Sequence, residues 1–277
     1  MAVFGFVQFE LAMPLGPADG RYLRRTGGGG EPERVIVLRT LGAPERRRFG
    51  GRRPKAVEGG GEEPVPVPTV RATLIGAEPL SDPAAWLDSL RGDSDAREAE
   101  VDDALRELNA ILRAHRAAAA DPYARELARW QANAIRIGYG SGDQVADGRF
   151  DQAYEVPEPR GRMRRAETLA PQERLAAILG GTDHALVAEE LVLRARLDLD
   201  AGRPREAALQ ARVALEALLA EVPWGAAEVA EHRDAVAQAA NAALEGDPPA
   251  ELVTAVEEAV RAMHRALAAA TRRRQGE

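Results

Sequence analysis

The sequence predicts an α+β protein: a small N-terminal antiparallel β region, then helical hairpins, then a C-terminal α-helical bundle. Three observations carry this expectation. Apolar residues alternate with a period of two within the first 80 positions. From Ser81 onward they recur at spacings of three and four. Helix start and stop residues then cluster after position 169. The expected division is a β region over 1–80, a helical hairpin with a glycine-rich connector over 81–157, a linker over 158–168 and a bundle over 169–277.

The first strand is AVFGFVQFEL (2–11), rich in β-favouring types. LGPADG (15–20) is a turn cluster before RYLRR (21–25), which reads as a hairpin between the first two strands. RVIVLRTL (34–41) alternates most clearly, with Val35, Val37 and Arg39 on one face and Ile36, Leu38 and Thr40 on the other. A fourth strand is centred on Val70, Ala72 and Leu74. Between the third and fourth, 42–68 runs from arginines through glycines and acids to alternating prolines, and is expected to be disordered.

Asp82 or Ser81 caps the next helix, with Pro83 in its first turn and Gly92 at its end. A longer helix over 95–119 carries the stripe Val101, Leu105, Leu108, Leu112 and His115. Tyr123, Leu127, Trp130, Ala134 and Ile137 continue at helical spacing after Asp121–Pro122, which predicts a second hairpin helix. GYGSGDQVADGRF (138–150) then reads as a connector, and 148–156 as a short strand. Five helices are expected near 171–180, 183–201, 204–221, 225–245 and 249–271.

Composition limits the chemistry. Hydrophobic and charged residues, at 45% and 29%, are ordinary for a globular chain; aromatics are only 4%, so the core should rest on alanine and leucine. Lys55 is the only lysine, a bias expected of a GC-rich genome, and it removes most lysine chemistry. The net charge of −7 argues against a general nucleic-acid or anionic-membrane binder. It divides as +3 over 1–80, −6 over 81–157 and −4 over 158–277, so a basic β region adjoins an acidic helical one. The absence of cysteine excludes disulfides, thiolate metal sites and thiol nucleophiles. The N-terminal residues lack a basic region and alternate, which makes a poor signal peptide, and no run reaches the length of a membrane span. A cytoplasmic location is the default expectation.

The motifs do not assemble a familiar site. Gly138, Gly140 and Gly142 give G-x-G-x-G, where a dinucleotide loop needs G-x-G-x-x-G after a strand. Ser141 lacks the flanking glycines of a nucleophile elbow, with Tyr139 and Asp143 in those places. His115, His184, His232 and His264 have no histidine partner at zinc-helix spacing, and His232-Arg233-Asp234 lacks the asparagine of a kinase catalytic loop. No catalytic, cofactor-binding or metal-ligating residues are therefore assigned. The acids at Glu98, Glu100, Asp102 and Asp103 suit the first turns of a helix. Basic clusters remain at Arg46, Arg47, Arg48, Arg52 and Arg53, at Arg160, Arg162, Arg164 and Arg165, and at Arg272–Arg274. The first two are the candidate contacts for an anion or an acidic partner.

Residues 190–219, ELVLRARLDLDAGRPREAALQARVALEALL, resemble a single tetratricopeptide hairpin. With Gly202 as the turn glycine, Ala195 takes the small position of the first helix. Glu206, Ala207 and Ala214 take the acidic and alanine positions of the second. Arg194 and Asp198 stand where the family prefers leucine and tyrosine, the closing proline is displaced to Pro223, and no second copy follows. The resemblance implies a helix–turn–helix unit. Arg261 and His264 resemble the arginine–histidine pair of helical ribonucleases of the higher-eukaryote and prokaryote nucleotide-binding type, with two intervening residues where that family has four to six. That family's activity is not carried over.

The expected function is a non-catalytic interaction or assembly module that binds another protein or a second copy of itself. The alternatives are a hydrolase or nuclease-like enzyme using Asp143 and Asp147, and an accessory RNA or anion binder acting through the arginine-rich loops.

Overall fold

A computed structural model describes residues 2–25, 30–42, 69–157, 165–222 and 226–276. The chain divides into two compact units, Met1–Pro159 and Arg160–Glu277. Of the segment 158–168 expected as a linker, 158–164 lie outside the described residues. The loop 42–68 lies outside the described residues, apart from its first position.

The first unit is built on a six-stranded antiparallel sheet: β1 (Val3–Leu11), β2 (Gly20–Arg25), β3 (Pro32–Leu41), β4 (Thr69–Gly76), β5 (Ala132–Ser141) and β6 (Gln152–Glu155). Their spatial order is β2-β3-β4-β1-β5-β6. The expected hairpin between β1 and β2 does not form; β1 pairs instead with β4 and β5. The reason is burial. Phe6, Val7, Phe9 and Leu11 are all buried, so β1 has apolar side chains on both faces and belongs at the centre of the sheet. In contrast, β2 presents Arg21, Arg24 and Arg25, which suit an edge.

One face of the sheet is covered by α1 (Pro83–Gly92) and α2 (Ser94–Ala119). Asp82 accepts the Ala85 N–H and Asp93 accepts those of Asp95 and Ala96, so both helices start on carboxylate caps. The α2 stripe of Val101, Ala104, Leu108 and Leu112 packs with Leu87 and Leu90 onto Val7, Phe9, Ile36, Leu38, Leu74 and Ile137. Each fully buried leucine here contributes roughly 1.5–3 kcal/mol.

The helix expected over 121–137 is absent, and the stretch Ala132–Ser141 is strand β5. Asn109 accounts for part of this. Its side-chain amide donates to the Leu127 carbonyl at 2.9 Å and its oxygen accepts the Leu127 N–H at 2.7 Å. The backbone at Leu127 is thus held by α2 rather than by a helical ladder, and a 3-10 turn at Arg129–Gln131 leads into the strand. The glycine-rich stretch is correspondingly not a simple connector. Gly138, Gly140 and Ser141 belong to β5, and Gly142–Ala146 form the short helix α3. Val145 and Ala146 of α3 pack against Phe6, Val37 and Ile75 on the other face of the sheet.

The second unit is helical: α4 (Arg165–Leu179), α5 (Val187–Asp200), α6 (Pro204–Glu221), α7 (Ala226–Ala230), α8 (Arg233–Glu245) and α9 (Ala250–Gly276). α4 begins inside the expected linker and carries Pro171 within it, not at its start. The helix expected over 225–245 is two helices, with His232 as the N-cap of α8. α5 begins four residues later than Asp183 predicts, because Glu221 at the end of α6 accepts the Val187 and Ala188 N–H groups. Gly202 turns the chain between α5 and α6 at φ +66°. The interior is alanine-rich as composition predicts: Ala195, Ala207, Ala211, Ala214, Ala239 and Ala259 are buried beside Leu215, Leu218 and Met263. Small side chains there let α6 approach α5, α8 and α9 closely.

Candidate functional site

The arginines singled out from sequence fall mostly outside the described residues. Arg46, Arg47, Arg48, Arg52 and Arg53, and Arg160, Arg162 and Arg164, lie outside the described residues; of Arg165 only the backbone, as the first residue of α4, is described. The third cluster, Arg272–Arg274, extends α9 and is not a free tail. Arg274 donates to the His184 carbonyl at 3.4 Å and lies 3.8 Å from Asp183 and 3.7 Å from Glu189. Arg174 of α4 meets the same carboxylates, at 3.3 Å and 2.7 Å, so this group closes the packing of α4, α5 and α9. The Glu189 hydrogen bond raises the Arg174 pKa against the cost of burial. Arg261 pairs with Glu257 one turn back at 3.6 Å, and His264 lines a small hollow with Glu189 and Leu193. Among the described residues, no three His, Cys, Asp or Glu side chains gather as a metal ion requires.

Two surfaces of the first unit stand out instead. The first is a groove along the part of β5 beyond its pairing with β6. β6 pairs only with Arg136–Tyr139, and a further hydrogen bond joins the Val156 N–H to the Ile135 carbonyl at 2.7 Å. Beyond that point Ala132–Ala134 have β1 on one side and no described strand on the other. A groove of about 720 Å³ opens here, lined by Trp130, Ala132, Ala134, Ile135, Val156 and Pro157, with Arg129, Asn133 and Glu155 at its polar positions. Trp130 is 83% exposed. Its neighbour Arg129 is held by Glu98 of α2, and burial together with the charge of Arg97 lowers the Arg129 pKa. The rim is therefore anchored while the indole stands out into solvent.

The second surface is the sheet face opposite α1 and α2. Arg39 on β3 is directly opposite Arg71 on β4, and Arg71 is directly opposite Glu10 on β1. Glu10 also accepts from Arg136 of β5 at 2.7 Å, and from Arg71 at 3.0 Å. Burial alone would push the Glu10 carboxyl up; the hydrogen bonds and charges of Arg136 and Arg71 outweigh it and hold the pKa below its ordinary value. Beneath lies a neutral pair, Gln8 and Thr73, both buried and hydrogen-bonded at 3.0 Å. Asp147, the C-cap of α3, faces three guanidinium groups: Arg39 at 3.1 Å, Arg149 at 3.8 Å and Arg21 at 3.9 Å. Arg21 also reaches Asp143 at 3.5 Å. The two aspartates that the sequence offers for a hydrolase- or nuclease-like site are thus engaged by arginines, while the Ser141 hydroxyl is buried at the end of β5.

Neither surface is legible in the sequence. Trp130 fits a helical stripe there, and Arg39 and Arg71 are 32 positions apart, brought opposite only by strand pairing. Alternation puts Arg39 on the same face as Val35 and Val37, and the structure turns that face away from α1 and α2. No family model matches the chain, and neither a curated protein nor a solved structure matches it.

Proposed function

We propose that the protein is a non-catalytic protein-interaction module whose first unit accepts an extended apolar segment of a partner protein as an additional strand beside β5. The observation that carries this reading is the groove beside Ala132–Ala134, where a strand edge with no partner among the described residues and an exposed tryptophan occur together. Strand addition supplies backbone hydrogen bonds, and pockets on alternate positions supply selectivity. Tryptophan is enriched where such contacts concentrate their energy. An exposed indole next to a strand edge has no role in the core, and edges without a covering element are ready templates for pairing. The helical unit supplies a second surface, and its α5–α6 hairpin, the tetratricopeptide-like segment, belongs to the same reading. No helix among the described residues is long and apolar enough to cross a membrane.

The test is selection of a displayed random-peptide library on the whole protein, with hydrogen exchange on the complexes. Enriched peptides should alternate apolar residues, protect amides 132–135, and lose at least tenfold in affinity with Trp130→Ala. Because Trp130 is exposed, that variant should keep the wild-type melting temperature. Peptides that bind Trp130→Ala equally well, or that protect only other segments, would overturn the reading.

A further inference from the structure

The arginine-rich sheet face of the first unit carries an inference independent of the groove. Like charges directly opposite one another on a sheet face are destabilising. Arg39 and Arg71 are so placed in register, and each meets a separate carboxylate, Asp147 for Arg39 at 3.1 Å and Glu10 for Arg71 at 3.0 Å. Glu10 approaches Arg71 from the β1 side and is shared with Arg136; Asp147 approaches Arg39 from the α3 side and is shared with Arg21 and Arg149. Five guanidinium groups thus surround Glu10, Asp147 and Asp143, with Glu155 reaching Arg136 from the rim at 3.6 Å. The Arg71 Nε is buried and has no hydrogen-bond partner among the described residues.

The loop over this face is shaped around the same arginine. Gly148 adopts φ +81°, and a Cβ there would collide with Arg71 Nη1. The glycine lets the chain pass close to the guanidinium, between Asp147 and Arg149 in sequence. The side chains of Arg21 and Arg39 are 49% and 51% exposed and that of Arg149 is 73% exposed, so these guanidinium groups are accessible to a ligand. Arginine forks match the oxygens of phosphate in geometry and charge.

We propose that Arg39 and Arg71, flanked by Arg21 and Arg149, form a site for a phosphate-class oxyanion, either the free ion or the phosphoryl group of a small molecule. The anion bridges these two arginines, adding a shared counter-charge to the separate carboxylates that each already meets. Glu10 and Asp147 position the arginines from either side.

Thermal unfolding and ³¹P line broadening of the whole chain test this, with inorganic phosphate and phenyl phosphate as probes and sodium chloride at matched ionic strength as the reference. A saturable rise in melting temperature and a broadened ³¹P line are expected with the wild type. Both should weaken at least tenfold in concentration dependence with Arg39→Gln and with Arg149→Gln, variants of exposed residues that leave the core intact. Tighter phenyl phosphate binding assigns the site to a phosphorylated molecule; equal or tighter inorganic phosphate assigns it to the free ion. A rise that chloride reproduces, or that both variants retain at full strength, would overturn the proposal.

Discussion

Gly138 is the position at which β5 and β6 come too close for any side chain. A Cβ built there would fall 2.6 Å from the Cβ of Ala153 and 2.8 Å from its Cα, and nearer still to the Gln152 carbonyl oxygen. These atoms belong to the backbone or lie next to it, so no rotamer change relieves the clash. Gly138→Ala must push β6 away from β5 or tilt the strand. Overpacking of this kind costs typically 1–3 kcal/mol. Taking about 2 kcal/mol, and about 2–4 °C per kcal/mol for a unit of this size, the first unit should melt some 4–8 °C lower (roughly, by that scaling). Gly92→Ala is the control. Gly92 closes α1 with nothing within 4 Å of its would-be Cβ, so alanine there should leave the melting temperature unchanged or raise it through helix propensity. Differential scanning calorimetry reads both variants, and hydrogen exchange at 136–139 and 152–155 assigns the loss to the right strands. If Gly138→Ala melts within about 1 °C of wild type and those amides stay protected, the close approach of β5 and β6 is wrong. The wall of the groove formed by Val156 would then be in doubt as well.

Two further outcomes follow from the backbone and from the buried charges. Gly202 lies in the left-handed region at φ +66° with open space around it, so the strain on a side chain is conformational and not steric. Gly202→Asp should cost about 1 kcal/mol or more, Gly202→Asn less, as read by chemical denaturation; equal stability of all three would refute the turn. Glu10 has a folded pKa below its ordinary value of 4.5, so its stabilising contribution is complete above that pH and is lost as pH falls through the folded value. Unfolding free energy measured between pH 6 and pH 3 should therefore fall less steeply in Glu10→Gln than in wild type. Parallel pH profiles for the two proteins would show that Arg71 and Arg136 do not hold this carboxylate.

Local chemistry determined much of the architecture. The strand positions β1 to β4, the cap at Asp82, the turn at Gly202 and the alanine interior of the second unit all follow from alternation, capping and small apolar residues. These features depend on residues within a few positions of one another. Tertiary structure decided the rest. Ile135, Ile137 and Tyr139 satisfy a strand period, while Tyr123, Leu127, Trp130, Ala134 and Ile137 also satisfy a helical one. The exposed Tyr123 and Trp130 show that the second pattern covers no core. What settled the matter was the need of β1 for a partner on each side, together with the grip of Asn109 on Leu127. The opposition of Arg39 and Arg71, and the approach of Asp147 to three arginines, depend on a strand order and a helix position to which no short stretch is sensitive. Periodicity records which side of an element is buried; only the packed molecule determines which distant side chains share that side.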